Sequence, residues 1–108
     1  MSNHFAKKIV KGMLDHVILE ALTEHPCHGY ELIKLVRKKY HVYFGPSTMY
    51  PLLSQLEELG FIKSAWNFGN GRPQKQYSLT PKGYAELNLQ RRDIEVILAT
   101  MEHERRGD

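Results

Sequence analysis

Residues 45–60 read GPSTMYPLLSQLEELG, and the fold turns on how this stretch is read. Met49, Leu52, Leu53, Leu56 and Leu59 recur at helical spacing, which predicts a helix over residues 47–59 with those five side chains on its inner face. Pro51 falls in the first turn, where its missing N–H matters least. Gly60 is placed to cap the C-terminus. Ser47, Thr48, Tyr50, Ser54 and Gln55 lie off the apolar stripe, so the helix has an apolar back and a front of hydroxyls and an amide.

Working outward, Leu32, Ile33, Val36 and Tyr40 predict a preceding helix that starts near His28 or Gly29, with Lys34, Arg37, Lys38 and Lys39 as its polar partners. Residues 41–46 read as a linker, broken at Gly45-Pro46. Further upstream, Met13, Leu14, Val17, Ile18, Ala21 and Leu22 form the stripe of another amphipathic helix. Pro26 ends it, because the residue before proline avoids the helical region. Residues 1–11 read as a flexible basic arm carrying Lys7, Lys8 and Lys11.

Downstream of Gly60 the period changes. Phe61, Ile62, Ala65 and Trp66 suggest one strand, and residues 76–79 a second. Between them Gly69, Asn70-Gly71 and Pro73 are turn formers, so the two strands predict a hairpin with a loop longer than the tight two-residue kind. Thr80-Pro81 signals a helix start, a threonine cap followed by proline in the first helical position. The last segment is predicted as one long helix to residue 106, with Tyr84, Leu87, Ile94, Leu98 and Met101 at spacings of three and four, interrupted by Arg91. Gly83, inside it, predicts fraying or close packing.

The bulk properties are compatible with one small domain. The 108 residues are 42% hydrophobic and 25% charged, an ordinary globular profile. No apolar run approaches the roughly 18–20 residues of a membrane span, and the N-terminus lacks the apolar stretch of a secretory signal, so no membrane association and a cytoplasmic location are expected. The single cysteine, Cys27, excludes an internal disulfide and a cysteine-rich zinc site. A net charge of +3 and a pI near 9.0 suit a nucleic-acid partner without requiring one.

Three short helices, a hairpin and a final helix are the layout of a winged helix-turn-helix. The expected fold is therefore mainly α with a small β-hairpin, residues 1–80 forming the winged helix-turn-helix unit and residues 81–108 a C-terminal dimerisation helix. In such a layout the third helix enters the major groove and the hairpin lies along the adjacent backbone or minor groove. A helix N-terminus favours phosphate. Ser47 and Thr48 add hydroxyls there, although alone they also read as plain caps. Tyr50 reaches a phosphate or packs against the second helix. Ser54 and Gln55 face base edges one turn on. Lys63, Arg72 and Lys75 supply cations on the hairpin, with Arg72 near its tip, where an arginine reaches a narrow minor groove.

At this point the chain resembles a known family, the PadR-type transcriptional regulators. The likeness is carried by Lys11-Gly12, by His28-Gly29-Tyr30-Glu31, by GPSTMYPLL at residues 45–53 and by Leu56-Glu57-Glu58-Leu59-Gly60. It continues in Gly71-Arg72-Pro73 followed by Tyr77, and in Leu79-Thr80-Pro81-Lys82-Gly83. The resemblance implies a repressor-like protein, dimeric through its C-terminal helix, on a palindromic operator. It implies DNA-facing roles for Ser47, Thr48, Tyr50, Pro51, Arg72 and Lys75. One C-terminal helix matches the short branch of the family. Some short members bind planar aromatic effectors in a pore between paired C-terminal helices, using a tryptophan there. Here the sole tryptophan, Trp66, falls on the predicted wing, which weakens that expectation, and the identity of any small-molecule effector does not show.

His25-Pro26-Cys27-His28 sets three metal-ligand types within four residues, but nothing completes a tetrahedral site, and Cys27 reads as a small buried residue. Gly69-Asn70-Gly71 lacks the lysine and following helix of a phosphate-gripping loop. Neither a catalytic arrangement nor a cofactor motif is evident, so a non-enzyme without cofactor is expected. A terminal helix of about 25 residues outruns what one small domain covers, so Leu87, Ile94, Ile97, Leu98 and Met101 are expected to seek a second copy of the chain. The rival classes are a winged-helix module that binds proteins instead of DNA, and a small-molecule carrier built from the dimer pore.

Overall fold

The computed structural model describes residues 3–69 and 71–107. Helix α1 (Asn3–Gly12) leads into α2 (Leu14–Leu22), and a two-residue strand β1 (Cys27–His28) opens directly into α3 (Gly29–Tyr40). Helix α4 (Pro46–Glu58) follows, then strands β2 (Ile62–Asn67) and β3 (Gln74–Leu79), and finally α5 (Pro81–Arg105). All strands pair antiparallel in the order β1-β3-β2, with Cys27 opposite Tyr77 and Ser64 opposite Tyr77 from the other side.

The residues expected to form a basic arm are instead helical from Asn3 onward, Met1 and Ser2 lying outside the described residues. The reason lies in their spacing: Ala6 is half-buried and Val10 is buried in the core, while Lys7, Lys8 and Lys11 stay in water. An amphipathic face with a neighbour to pack on outweighs the lack of any acidic residue in its first turn. Strand β1 was not foreseen, since two residues carry no periodicity. Strand β3 starts at Gln74, two residues earlier than the pattern suggested. Asn70, counted among the turn formers, lies outside the described residues.

The core is built from α2, α3 and α4. Ile18, Leu19, Leu32, Met49 and Leu53 are fully buried and Cys27 is almost so. Each such large side chain contributes about 1.5–3 kcal/mol of transfer free energy. Helix α4 ends as expected: Gly60 takes φ +81°, and the Phe61 N–H donates to the Leu56 carbonyl, closing a Schellman turn. Leu59 is exposed rather than on the inner face, because it is the last residue before that turn. The helix starts one residue early, with Gly45 as N-cap and Pro46 in the first turn. Pro51 consequently sits in the second turn, and the Ser47 carbonyl cannot receive its usual bond from four residues ahead.

The junction of α4, β2 and α5 is knitted by hydrogen bonds. The Thr80 hydroxyl accepts from the Gly83 N–H (3.0 Å) and donates to the Gly60 carbonyl (2.6 Å). Lys82 Nζ donates to the Leu59 carbonyl (2.8 Å). Gly83 is packed against the Phe61 carbonyl, the close-packing outcome of the two expected.

Helix α5 uses one face in two ways. Leu87 on that face is buried in its own chain. This corrects its assignment to a dimer seam: it fills the core between α5 and α2 and has no surface left to offer. One turn on, the face turns polar. Arg91 donates to both carboxylate oxygens of Glu20 (2.9 and 2.7 Å), and His16 lies 2.9 Å from Gln90 Oε1 and 3.2 Å from Glu20. Beyond this clasp Ile97, Leu98 and Met101 are exposed on the continuing stripe, and Ile94 is half-buried at the boundary.

The Arg91 guanidinium holds the Glu20 carboxyl below the usual carboxylate value against a partial cost of burial. A depressed folded value means stability that is present above the ordinary glutamate pKa of about 4.3 and lost as pH falls through the folded value. Glu20→Gln is therefore expected to flatten the acid limb of the stability–pH profile and to leave its alkaline limb unchanged. Because the pair is partly in water, the expected effect is small, within about 1 kcal/mol. Denaturant midpoints taken between neutral and acid pH measure it, and an unchanged acid limb in the variant would remove the clasp from the account.

Candidate nucleic-acid interface

The front of α4 is one stripe. Ser47, Tyr50, Pro51, Ser54 and Gln55 follow each other at helical spacing and all are exposed, while Thr48 is half-buried at the stripe's edge. Neither Ser47 nor Thr48 is a cap, since Gly45 occupies that position. The hydroxyl of Ser47 therefore stands free of the duty that would have made its presence merely structural. No acidic side chain lies in the first turn of α4, so the positive end of the helix dipole faces outward unneutralised.

Tyr50 packs against the start of α3, one of the two outcomes the sequence allowed. Its ring lies across Gly29 at the start of α3, where a β-carbon would come within 2.7 Å of Tyr50 Cζ. It nonetheless keeps 39% of its surface exposed. Only glycine at position 29 permits this contact, which fixes the tyrosine by packing and leaves its edge toward solvent. Buried Tyr77 lines the same region, its hydroxyl pushed up in pKa by desolvation and by Glu57.

The wing is fastened to α4 and α3. Ser64 donates to Glu57 (2.6 Å), and the His28 ring, through Nδ1–H, donates to the Lys75 carbonyl (2.9 Å). The Glu31 carboxylate in turn accepts from the His28 N–H (2.8 Å). Register places Trp66 opposite Lys75 and Lys63 opposite Ser78. Since successive side chains alternate across a strand, Lys75 and Trp66 share the face turned toward α4, and Lys63 points from the other face. Arg72 is exposed in the loop between the strands. Of the three hairpin cations expected at the site, Lys75 stands beside α4, Arg72 near the tip, and Lys63 is not brought together with them. Sequence reading missed His28, Tyr30 and Trp66 at this surface. The signal available was the parity of the hairpin, which needs a register that turn residues alone do not set.

A second surface is built from other elements. An open groove of about 580 Å³ runs between α1, α2 and the end of α3, lined by Ile9, Val10, Met13, Val17 and Tyr40, with Ile94 of α5 at its rim. At Cys27, burial raises the thiol pKa, and its sulfur faces the His25 carbonyl at 3.5 Å. Among the described residues no group of three His, Cys, Asp or Glu side chains is placed to hold a metal ion. No described helix is long and apolar enough to cross a membrane.

Helices α2 to α4 with the β2–β3 hairpin define a winged helix-turn-helix, extended by a long C-terminal helix. Residues 18–89 match the transcriptional regulator PadR-like family, and the chain belongs to that family of transcriptional regulators, not to an enzyme family. It is 37% identical over 79 residues to the transcriptional regulator Rv3488 of Mycobacterium tuberculosis, covering 72% of each chain. A PadR family transcription regulator from Clostridium difficile superimposes with a TM-score of 0.77 at 30% identity, over 84% of this chain and 96% of that one. Bacillus subtilis PadR, solved in complex with operator DNA, matches with a TM-score of 0.65 at 28% identity, over 70% of this chain and 44% of that one.

Proposed function

We propose that this chain represses transcription as a homodimer on a palindromic operator, with α4 in the major groove and the β2–β3 wing on the adjacent backbone. The observation that carries the reading is the exposed stripe of Ser47, Tyr50, Pro51, Ser54 and Gln55, uncapped, unneutralised and flanked by Lys75. That Bacillus subtilis PadR was solved in complex with operator DNA supports a DNA duplex as the partner of this chain. Two copies would set their α4 helices in successive major grooves, about 34 Å apart.

The outer half of α5 supplies the dimer seam. Ile97, Leu98 and Met101 expose more than half of their surface, and their stripe runs through Ile94 into the groove beside α1. A second copy of α5 laid along that stripe and groove would cover both. Helix α1, where the sequence suggested a flexible basic arm, is in this reading a wall of the seam. The region before residue 81 then serves as the DNA-binding unit, with Leu87 anchoring α5 to it.

Mobility shift with DNA from upstream of the coding region, run beside sedimentation, tests both halves of the proposal. A shifted complex containing two chains supports it, and a monomer without affinity for any duplex would sink it. Arg72→Ala with Lys75→Ala is expected to weaken binding across all sequences and to reduce the slope of log affinity against log salt by about 1–2. Lys63→Ala, on the other face of the hairpin, is expected to change that slope less. An unchanged slope in the double variant would take the wing off the DNA.

A further inference from the structure

Between the front of α4 and the inner face of the wing lies a notch of about 380 Å³, bounded by Gly29, Tyr30, Tyr50, Ser54, Trp66 and Lys75. Three of its aromatic rings are open to solvent: Trp66 at 58%, Tyr30 at 43% and Tyr50 at 39%. Exposed rings of this size, gathered in one place, are costly to leave in water without a use.

We infer that this notch is the seat of the operator's sugar–phosphate strand, and that Trp66 is a DNA-contact residue stacking on a deoxyribose there. The inference rests on the DNA-binding reading above and adds to it a binding site and a residue. Its first support is position. With α4 in one groove and the wing on its neighbour, the phosphodiester strand separating the grooves crosses the gap between them, and the notch is that gap.

The second support is chemistry. A sugar–phosphate strand presents flat C–H surface alternating with anionic oxygen. The notch offers the complement: ring faces beside cations and hydroxyls. Lys75 Nζ sits 5.6 Å over the Trp66 ring, and Lys34 Nζ 5.6 Å over that of Tyr30. The ammonium groups are thus held where a phosphate adjoining a stacked sugar would lie, and Tyr50 and Ser54 line the same opening. Contacts of this kind fix register on the duplex and carry no sequence information.

The third support is preorganisation. The His28 hydrogen bond to the Lys75 carbonyl ties one wall to the other. The His28 and Tyr30 rings stack at 5.5 Å and 7°, and Tyr50 is wedged on Gly29. The opening therefore keeps its width without DNA, so little ordering is left for binding to impose.

Trp66 is the chain's single tryptophan, so intrinsic emission reports on this one site. The test is a titration of the full-length protein with a fluorescently labelled mixed-sequence DNA duplex in low-salt buffer, following the label's anisotropy and, with unlabelled duplex, the tryptophan emission. The expected result is that emission falls in step with the anisotropy rise. Trp66→Ala is expected to weaken binding roughly tenfold and Trp66→Phe to restore most of the loss. If anisotropy reports binding while Trp66 emission stays constant and Trp66→Ala binds as tightly as the unsubstituted chain, the notch is empty in the complex and the inference fails, with the DNA reading intact. If neither this duplex nor the upstream DNA binds, the DNA reading falls and takes the inference with it.

Discussion

Gly83→Ala is expected to destabilise the protein by roughly 3 kcal/mol, a large fraction of the 5–15 kcal/mol a small domain has to lose. A β-carbon at this position would collide with the Phe61 carbonyl oxygen and come within 3.0 Å of Leu79 Cδ1. Neither neighbour can retreat easily. The Phe61 carbonyl accepts from the Thr80 N–H (3.1 Å), and Phe61 follows the left-handed Gly60 turn that ends α4. The substitution therefore strains α4, β2 and α5 at their common corner. Gly12→Ala is the control: nothing lies within 4 Å of its added carbon, and alanine is the better helix former by about 0.5–1 kcal/mol. Urea midpoints for the two variants should move in opposite directions. Equal midpoints would show that the corner is looser than its packing implies.

The largest effect on function is expected from Ile97→Glu combined with Leu98→Glu. Both side chains are exposed in the single chain, on a stripe that begins at buried Leu87 and emerges past the Arg91 clasp. Two carboxylates facing two more across the seam would be desolvated and mutually repelling. The expected outcome is a folded monomer whose helix content and urea midpoint extrapolate to low protein concentration like the parent's. Its operator affinity should fall by about two to four powers of ten, because the second half-site no longer binds as part of one molecule. Sedimentation gives the first result and mobility shift the second. A variant that stays dimeric would take Ile97 and Leu98 out of the seam and leave it to α1 and its groove.

How much of this was legible beforehand can be argued residue by residue. The run from Gly45 to Gly60 declared its helix and its cap because local spacing and a left-handed glycine decide those locally. Thr80-Pro81 did the same for α5. What escaped depended on partners distant in sequence. Helix α1 looked like a charged tail until Val10 was seen against the core, and β1 exists only because β3 offers an edge. Leu87 was placed in the seam for a sound reason, since it shares a helical face with Ile94, Ile97 and Leu98. Periodicity shows which residues look the same way and not which molecule they look at. The exposed polar stripe of α4 was readable because it is one helix. The contribution of His28, Tyr30 and Trp66 was not, because it needs three elements brought into register.

The grip of Arg91 on Glu20 sits near the middle of α5, where the helix leaves its own globule. From there to Arg105 the helix runs on for about 20 Å at 1.5 Å per residue. In a dimer joined along that length the molecule would work as a pair of calipers, and this grip, with buried Leu87 behind it, would be the screw that trims their opening. A tilt of about 5° at the screw swings each end of such an arm by about 2 Å. Two arms double the error, which then matches the rise of a single base-pair step. Operator spacing would thus be gauged in part by a carboxylate and a guanidinium that lie outside the stripe of α4.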